Sequence, residues 1–148
     1  MSGSTKSFLF PDVNVWLALS YERHIHHRLA REWFEDLDEE RLCFCRFTQI
    51  GLLRLLTTNA VMGGDSVLNQ KEAWAVYEKW LQDDRIAFID EPPLLEALFK
   101  ANSLQTRPVP KDWADSYLLA FASAANFALV TLDRALGAKS KTVLLLLR

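Results

Sequence analysis

The sequence has the length and composition of one globular domain, which excludes a disordered chain. Its 148 residues are 50% hydrophobic and 24% charged, with five glycines and five prolines, so the chain is long enough to bury a core. A formal net charge of -2 excludes a general basic field, so contact with nucleic acid would need a local positive patch or metal ions.

The cysteines and the two ends of the chain indicate where the protein works. Cys43 and Cys45 alternate within an apolar segment and are too few and too closely spaced for a metal knuckle, so we expect buried free thiols. No stretch resembles a signal peptide or a membrane span, and we expect a soluble, cytoplasmic protein. Residues 1–7 are predicted to be a flexible tail, and residues 8–148 a single domain.

The first predicted strand covers residues 8–10 and ends at Pro11, which cannot donate to a sheet ladder. Asp12 follows directly, and a short helix is predicted over residues 13–19. In an open α/β sheet, ligands bind outside the carboxyl ends of the strands, so Asp12 is a candidate site residue. On this stretch alone, a helix cap formed by Asp12 or Asn14 explains the pattern equally well.

Apolar residues at helical or strand spacing place the remaining elements. The pattern predicts helices over residues 26–37, from Thr48 as N-cap, and over 69–82, 94–103 and 112–126, with strands over 42–45, 86–89, 127–131 and 143–147. Residues 57–64 are predicted to be a loop, and 132–137 a turn or short helix. Because strands alternate with helices, we expect a three-layer α/β/α fold around a mostly parallel sheet of about five strands.

Two further acids are predicted to meet Asp12 at one edge of the sheet. Asp133 follows the strand over residues 127–131, and Asp115 lies in the first turn of the helix that leads into that strand. Taken singly, Asp115 is better explained as a favourable charge at a helix start and Asp133 as a turn residue. Their common placement favours a site for Mg²⁺ or Mn²⁺, since such ions prefer carboxylate oxygens and promote phosphodiester hydrolysis.

Four segments, in this order and spacing, resemble the PIN-domain ribonucleases, specifically the VapC-type toxins of bacterial toxin–antitoxin pairs. They are Asp12-Val-Asn14-Val-Trp-Leu-Ala, Thr48-Gln49-Ile-Gly51-Leu-Leu-Arg54-Leu-Leu-Thr, Trp113-Ala-Asp115-Ser-Tyr-Leu-Leu-Ala and Leu129-Val-Thr131-Leu-Asp133. The resemblance covers the chain from Phe8 onward. It implies a PIN-like fold and a Mg²⁺- or Mn²⁺-dependent endoribonuclease that hydrolyses RNA phosphodiester bonds, with an inhibitory antitoxin protein and a homodimer as its assemblies.

The resemblance also assigns roles to individual residues. Asp12, Asp115 and Asp133 match acids of the family and would be both catalytic residues and metal ligands. Asn14 and Thr131 match the polar positions beside them and would orient the carboxylates through hydrogen bonds.

The second acid of the family is missing from this sequence. The resemblance leads us to expect a Glu in the helix after the second strand, and Gln49 stands there, an uncharged residue that ligates Mg²⁺ weakly. Asp112 shares a helix face with Asp115 and is a candidate to supply the missing charge. The alternative function is therefore a PIN-like module that binds RNA or a protein without cleaving it. A FLAP-type nuclease acting on DNA is disfavoured because the chain is too short for its helical arch.

Basic and aromatic residues close to the four segments are candidates for RNA contact, with solvated surface charge and core packing as the alternatives. The candidate positive rim consists of Arg46, Arg54 and Arg134, with Lys139 and Lys141. Trp16 and Trp113 are candidates to line a groove for bases, although core packing explains Trp16 better.

Overall fold

The structure is a computed structural model that describes residues 8–147. The predicted tail over residues 1–7 lies outside the described residues, as does residue 148. The chain alternates strands and helices as β1 (Phe8–Pro11), α1 (Val13–Ser20), α2 (His27–Glu35), β2 (Arg41–Phe44), α3 (Arg46–Leu56), α4 (Asn59–Met62), α5 (Gln70–Leu81), β3 (Ile86–Phe88), α6 (Leu95–Ser103), α7 (Asp112–Ala125), β4 (Ala128–Thr131), α8 (Arg134–Gly137) and β5 (Leu144–Leu145).

The five strands form one parallel sheet in the order β3-β2-β1-β4-β5, with β1 at its centre. Strand β1 pairs with β2 at Phe8 and Leu9 and with β4 from Leu9 through Pro11. The pairing with β2 stops earlier because Pro11 has no N–H to donate to a neighbouring strand. Each connection runs through at least one helix, as parallel neighbours require.

Helices cover both faces of the sheet because side chains alternate along the strands. One face buries Trp16 of α1 and Phe34 of α2 against Phe44 of β2. The other buries Phe10 of β1 against Phe121 of α7, together with both cysteines. The predicted three-layer α/β/α fold with a parallel sheet is therefore confirmed.

The predicted start of α3 and the predicted loop after α3 were wrong for identifiable reasons. Helix α3 begins at Arg46 with Cys45 as N-cap, whereas Thr48 was predicted to be the cap. Thr48 lies three residues further along and its hydroxyl oxygen accepts a hydrogen bond from the Cys45 N–H at 3.0 Å, so it completes the cap from inside the helix. The predicted loop over residues 57–64 contains the one-turn helix α4, which carries Met62 into the core.

The expected free thiols agree with the structure, whereas the last strand differs in length from its prediction. Cys43 and Cys45 are buried free thiols, and burial raises the pKa of both. Within residues 8–147, no helix is long and apolar enough to cross a membrane. Strand β5 is shorter than predicted, since only Leu144 and Leu145 pair with β4.

Candidate active site

Asp12 lies between the central strand β1 and helix α1. The structure is compatible both with a helix cap and with a site residue at this position. Its N–H donates to the Val130 carbonyl of β4 at 2.9 Å, which continues the sheet by one residue. Its Oδ1 caps α1 by accepting from the Val15 N–H at 3.1 Å. The residue is only 6% exposed. Asp12 is thus a helix cap whose second carboxylate oxygen, Oδ2, serves another contact.

Thr131 makes that second contact and joins the ends of β1 and β4. Its hydroxyl donates to Oδ2 of Asp12 at 2.6 Å and accepts from the N–H of Asp133 at 2.9 Å. One side chain therefore sets both the orientation of the Asp12 carboxylate and the position of the Asp133 backbone. This geometry is what the orienting role predicted for Thr131 requires.

The surroundings of Asp12 make its charge costly. Burial raises its pKa from 3.8 to about 6, although the hydrogen bonds from Thr131 and Val15 lower the pKa in part. The negative charges of Asp133 and Asp115 raise it further, so both acids lie within electrostatic reach of Asp12. A cation bound beside the three carboxylates would remove this cost.

Asp133 stands at the carboxyl end of β4, as predicted, and is exposed. Its Oδ1 accepts hydrogen bonds from the N–H groups of Ala135 at 2.8 Å and Leu136 at 3.3 Å, so it caps the short helix α8. The cap uses the oxygen Oδ1 and fixes the orientation of the carboxylate. Like Asp12, Asp133 combines a cap with a position at the sheet edge.

Asp115 and Asp112 both lie in the first turn of α7 and share an ion pair that sequence reasoning missed. Lys139 Nζ lies 3.1 Å from Oδ2 of Asp115 and 3.4 Å from Oδ1 of Asp112. Partial burial disfavours the charge of Lys139, but the hydrogen bonds and charges of the two acids outweigh it and raise its pKa. The sequence suggests Lys139 only as part of a positive rim, because no spacing in the loop after α8 indicates a contact with Asp112 or Asp115.

Gln49 is buried and has partners other than the three acids. Its Oε1 accepts from Arg46 Nη1 at 2.6 Å. Burial raises the pKa of Tyr77 in α5, and the nearby Gln49 side chain lowers it in part. The guanidinium of Arg46 lies over the Phe88 ring, 4.7 Å from its centroid. None of the hydrogen bonds of Asp12 involves Gln49.

The α3 residue that packs on the start of α1 is Gly51. A Cβ placed on Gly51 would lie 2.5 Å from Cγ2 of Val13, the residue after Asp12. The backbone of α3 therefore approaches the Asp12 segment so closely that this position has no room for a side chain. Helix α3 brings a glycine, and no carboxylate, to this part of the site.

The remaining candidates are dispersed. Asn14 is exposed, and its side chain makes no hydrogen bond to any residue in 8–147. Arg54 lies in the last turn of α3, about 12 Å along the helix from Arg46. Arg134 is exposed at the start of α8, directly after Asp133.

The acids fit a hard divalent cation by donor chemistry. Across residues 8–147, no three Asp, Glu, His or Cys side chains stand close enough together to make a ready-formed metal site. Oxygen donors on Asp12, Asp115 and Asp133 are nevertheless the type that Mg²⁺ and Mn²⁺ select, and a flexible, partly hydrated arrangement is usual for Mg²⁺. Burial, and to a smaller extent the charges of Asp133 and Asp115, raise the pKa of Asp12, so a bound cation would favour its ionised form.

Comparison with known proteins places the chain in a recognised group. The PIN domain family matches residues 9–141. Ribonuclease VapC41 of Mycobacterium tuberculosis is 46% identical over 131 residues, covering 86% of this chain and 90% of the relative. Ribonuclease VapC38 of the same species is 28% identical over 130 residues, covering 82% of each chain.

A solved structure supports the same fold. The crystal structure of M. tuberculosis VapC20, a toxin that cleaves the sarcin–ricin loop, matches with a TM-score of 0.62 over 88% of this chain and 93% of that one. Sequence identity between the two is 15%, so this likeness concerns the fold alone.

Proposed function

This chain belongs to the PIN-domain family and to its VapC-type ribonucleases, and from that premise we propose that it is an endoribonuclease acting as the toxin of a toxin–antitoxin pair. The observation that supports this most strongly is the buried carboxylate of Asp12, which lies between the ends of β1 and β4. It is close enough to Asp133 and Asp115 for their negative charges to raise its pKa. The sheet order reverses between these two strands, and ligands of open α/β sheets bind at such a point.

Backbone N–H groups and the Thr131 hydroxyl would orient the acids before RNA arrives. The Val15 N–H and the Thr131 hydroxyl fix the two oxygens of Asp12, and the cap on α8 fixes Asp133. Fixed donors of this kind need little rearrangement during reaction. Lys139 pairs with Asp115 and Asp112 on one side of α7, and its positive charge would be available to a phosphate of bound RNA.

We further propose that Mg²⁺ or Mn²⁺ is held by Asp12, Asp115 and Asp133. Such an ion supplies Lewis-acid activation of water and neutralises charge on the phosphodiester. Asp112 remains a candidate to add charge to this set, since it reaches the same Lys139 as Asp115.

Cleavage assays on mixed cellular RNA test the proposal. We expect cleavage by the wild-type protein with Mn²⁺ or Mg²⁺ and none with chelator. Asp12→Asn should cleave about 100-fold more slowly or worse, because the central charge is lost. Asp84→Asn, which changes an exposed acid before β3, is the matched control and should cleave like the wild type. Chelator-insensitive cleavage, or equal cleavage by Asp12→Asn, would refute the proposal.

The alternative of a binding module without turnover is favoured by one observation. Helix α3 offers Gly51 beside the Asp12 segment, and its Gln49 is held by a hydrogen bond from Arg46. The site therefore has fewer carboxylates than the family pattern leads us to expect. RNA binding by the wild-type protein without cleavage in either metal would establish this alternative in place of the nuclease.

The wider assignment follows from the same family membership. We propose RNA as substrate, an antitoxin protein as inhibitor, a homodimer as the working form and the cytoplasm as the location. Light scattering on the purified chain, alone and with the small protein encoded by a neighbouring reading frame, measures both assemblies. A monomer in both mixtures would contradict them.

A further inference from the structure

A cleft beside the acids has features that the cleavage chemistry does not use. It has a volume of about 320 Å³ and lies between the end of α6 and the start of α7. This volume falls in the range of small-ligand sites, about 300–1,000 Å³. Its apolar lining includes Trp113, Val109, Pro108 and Pro110, and the two prolines give that wall a stiff backbone.

Trp113 is 58% exposed, although its side chain is large and mostly apolar. Its ring is held in a tilted contact with Phe99 of α6, with ring centroids 6.0 Å apart and planes at 72°. The indole is therefore oriented by the protein while much of its surface stays open to solvent. This is the arrangement of an aromatic platform on which a planar ligand can stack.

Charged and polar groups at the cleft favour a nucleotide over an apolar ligand. Arg107 lines it, is exposed, and makes no hydrogen bond or ion pair with any residue in 8–147. A guanidinium without a carboxylate partner is suited to a phosphate, which it binds in a planar two-point contact. Gln105 adds an amide that can both donate to and accept from the edge of a base.

The cleft is continuous with the acids through one side chain. Asp112 lines the cleft, and its Oδ1 lies 3.4 Å from Lys139 Nζ. The same ammonium lies 3.1 Å from Asp115. A strand of RNA that crosses the acids can therefore place a neighbouring nucleotide in the cleft.

We propose that this cleft is a subsite for one unpaired nucleotide of the RNA, whose base stacks on Trp113 and whose phosphate binds Arg107. The inference rests on the proposed ribonuclease function and adds to it a place where the substrate is held. Stacking accepts every base, so the subsite contributes affinity and register more than choice of sequence. It also requires a single-stranded substrate at this position, because a paired base does not expose its face.

Binding of short single-stranded RNA by a non-cleaving protein tests the subsite. All variants carry Asp12→Asn, in chelator, and affinity is measured by fluorescence anisotropy of labelled oligo(A) and of an equally long oligomer of abasic ribose phosphates. The variants are Trp113→Ala, Trp113→Phe and Arg107→Gln. Trp74→Ala is the matched control, since Trp74 is 46% exposed on α5, outside this cleft. Thermal melting confirms that each variant is folded.

We expect Trp113→Ala to bind oligo(A) roughly 5- to 100-fold more weakly and the abasic oligomer as tightly as its parent. Trp113→Phe should recover most of the affinity. Arg107→Gln should weaken both oligomers and reduce the salt dependence of binding, because its contact is with phosphate. Trp74→Ala should change neither.

Two results would overturn the subsite. The first is an unchanged affinity of Trp113→Ala for oligo(A). This holds also if the same variant loses affinity for a protein partner, since the cleft would then bind protein and not RNA. Equal losses for oligo(A) and the abasic oligomer is the other, since stacking would then not be the cause. The proposed nuclease fails by a separate result, the absence of metal-dependent RNA cleavage by the wild-type protein, which leaves the oligo(A) comparison intact.

Discussion

Asp12 has two opposite effects on the stability of the folded protein. As a cap it stabilises α1, and as a buried carboxylate near Asp115 and Asp133 it is destabilising once ionised. Its folded pKa of about 6 exceeds the unfolded value of 3.8, so the folded state binds the proton more tightly. The stability due to this proton is complete below about pH 4 and is lost as the pH rises through about 6.

Asp12→Asn should therefore stabilise the protein in chelator at pH 8. Asn caps helices as well as Asp does and carries no charge to bury, so we expect a gain of about 1–3 kcal/mol in the free energy of unfolding, vanishing near pH 4. Urea unfolding at the two pH values measures it. Asp84→Asn should show no such pH-dependent gain, and a variant less stable than wild type at pH 8 would contradict the charge argument.

At the scale of the elements, the contact between α1 and α3 positions the site. Gly51 lets the α3 backbone approach Val13, which directly follows Asp12 in the chain. A glycine inside a helix costs about 1 kcal/mol relative to alanine, so a glycine here indicates that close approach matters more than helix propensity. The start of α1, and with it Asp12, rests on this contact.

Gly51→Ala should destabilise the protein by about 1–3 kcal/mol, despite its better helix propensity, because the new Cβ overlaps the branched side chain of Val13. Urea unfolding of this variant, of Gly51→Ala with Val13→Ala, and of Gly64→Ala measures the effect. The double variant should recover part of the loss, and Gly64→Ala should be nearly neutral, since a Cβ there meets nothing within 4 Å. A stabilising Gly51→Ala would show that helix propensity decides.

At the scale of the whole molecule, the strand order brings distant acids together. The chain adds β2 and β3 on one side of β1 and then β4 and β5 on the other. Asp12 and Asp133, which are 121 residues apart in sequence, thereby leave adjacent strands at the same edge. The crossover from β3 to β4 also delivers the first turn of α7, with Asp115, to that edge.

If these acids hold a metal ion, the ion should stabilise the whole fold, because it binds the folded chain only. Mn²⁺ at 100 times its dissociation constant adds about 2.7 kcal/mol, or roughly 5–10 °C in melting temperature for a chain of this size. Differential scanning calorimetry with Mn²⁺ and with chelator measures the shift. Asp12→Asn should lose most of it, and an equal shift in that variant would place the ion elsewhere.

Much of the fold was predictable from sequence because the deciding interactions are local. Apolar spacing identifies strands and helices, and Pro11 and Thr131 mark where two strands end. The acids after those strands follow from the same pattern. The start of α3 was not predictable in this way, since Cys45 and Thr48 share the cap and Thr48 is the better capping residue by type.

The alternation of strands and helices, the three-layer fold and the positions of Asp12 and Asp133 after strands all follow from the amino-acid sequence alone. The three-dimensional structure was needed to show that Gln49 accepts a hydrogen bond from Arg46, that Lys139 pairs with Asp112 and Asp115, and that Trp113 is more than half exposed. The two sets of features differ because backbone periodicity depends on neighbours in the chain, whereas the partner of a side chain depends on which helices the sheet brings side by side.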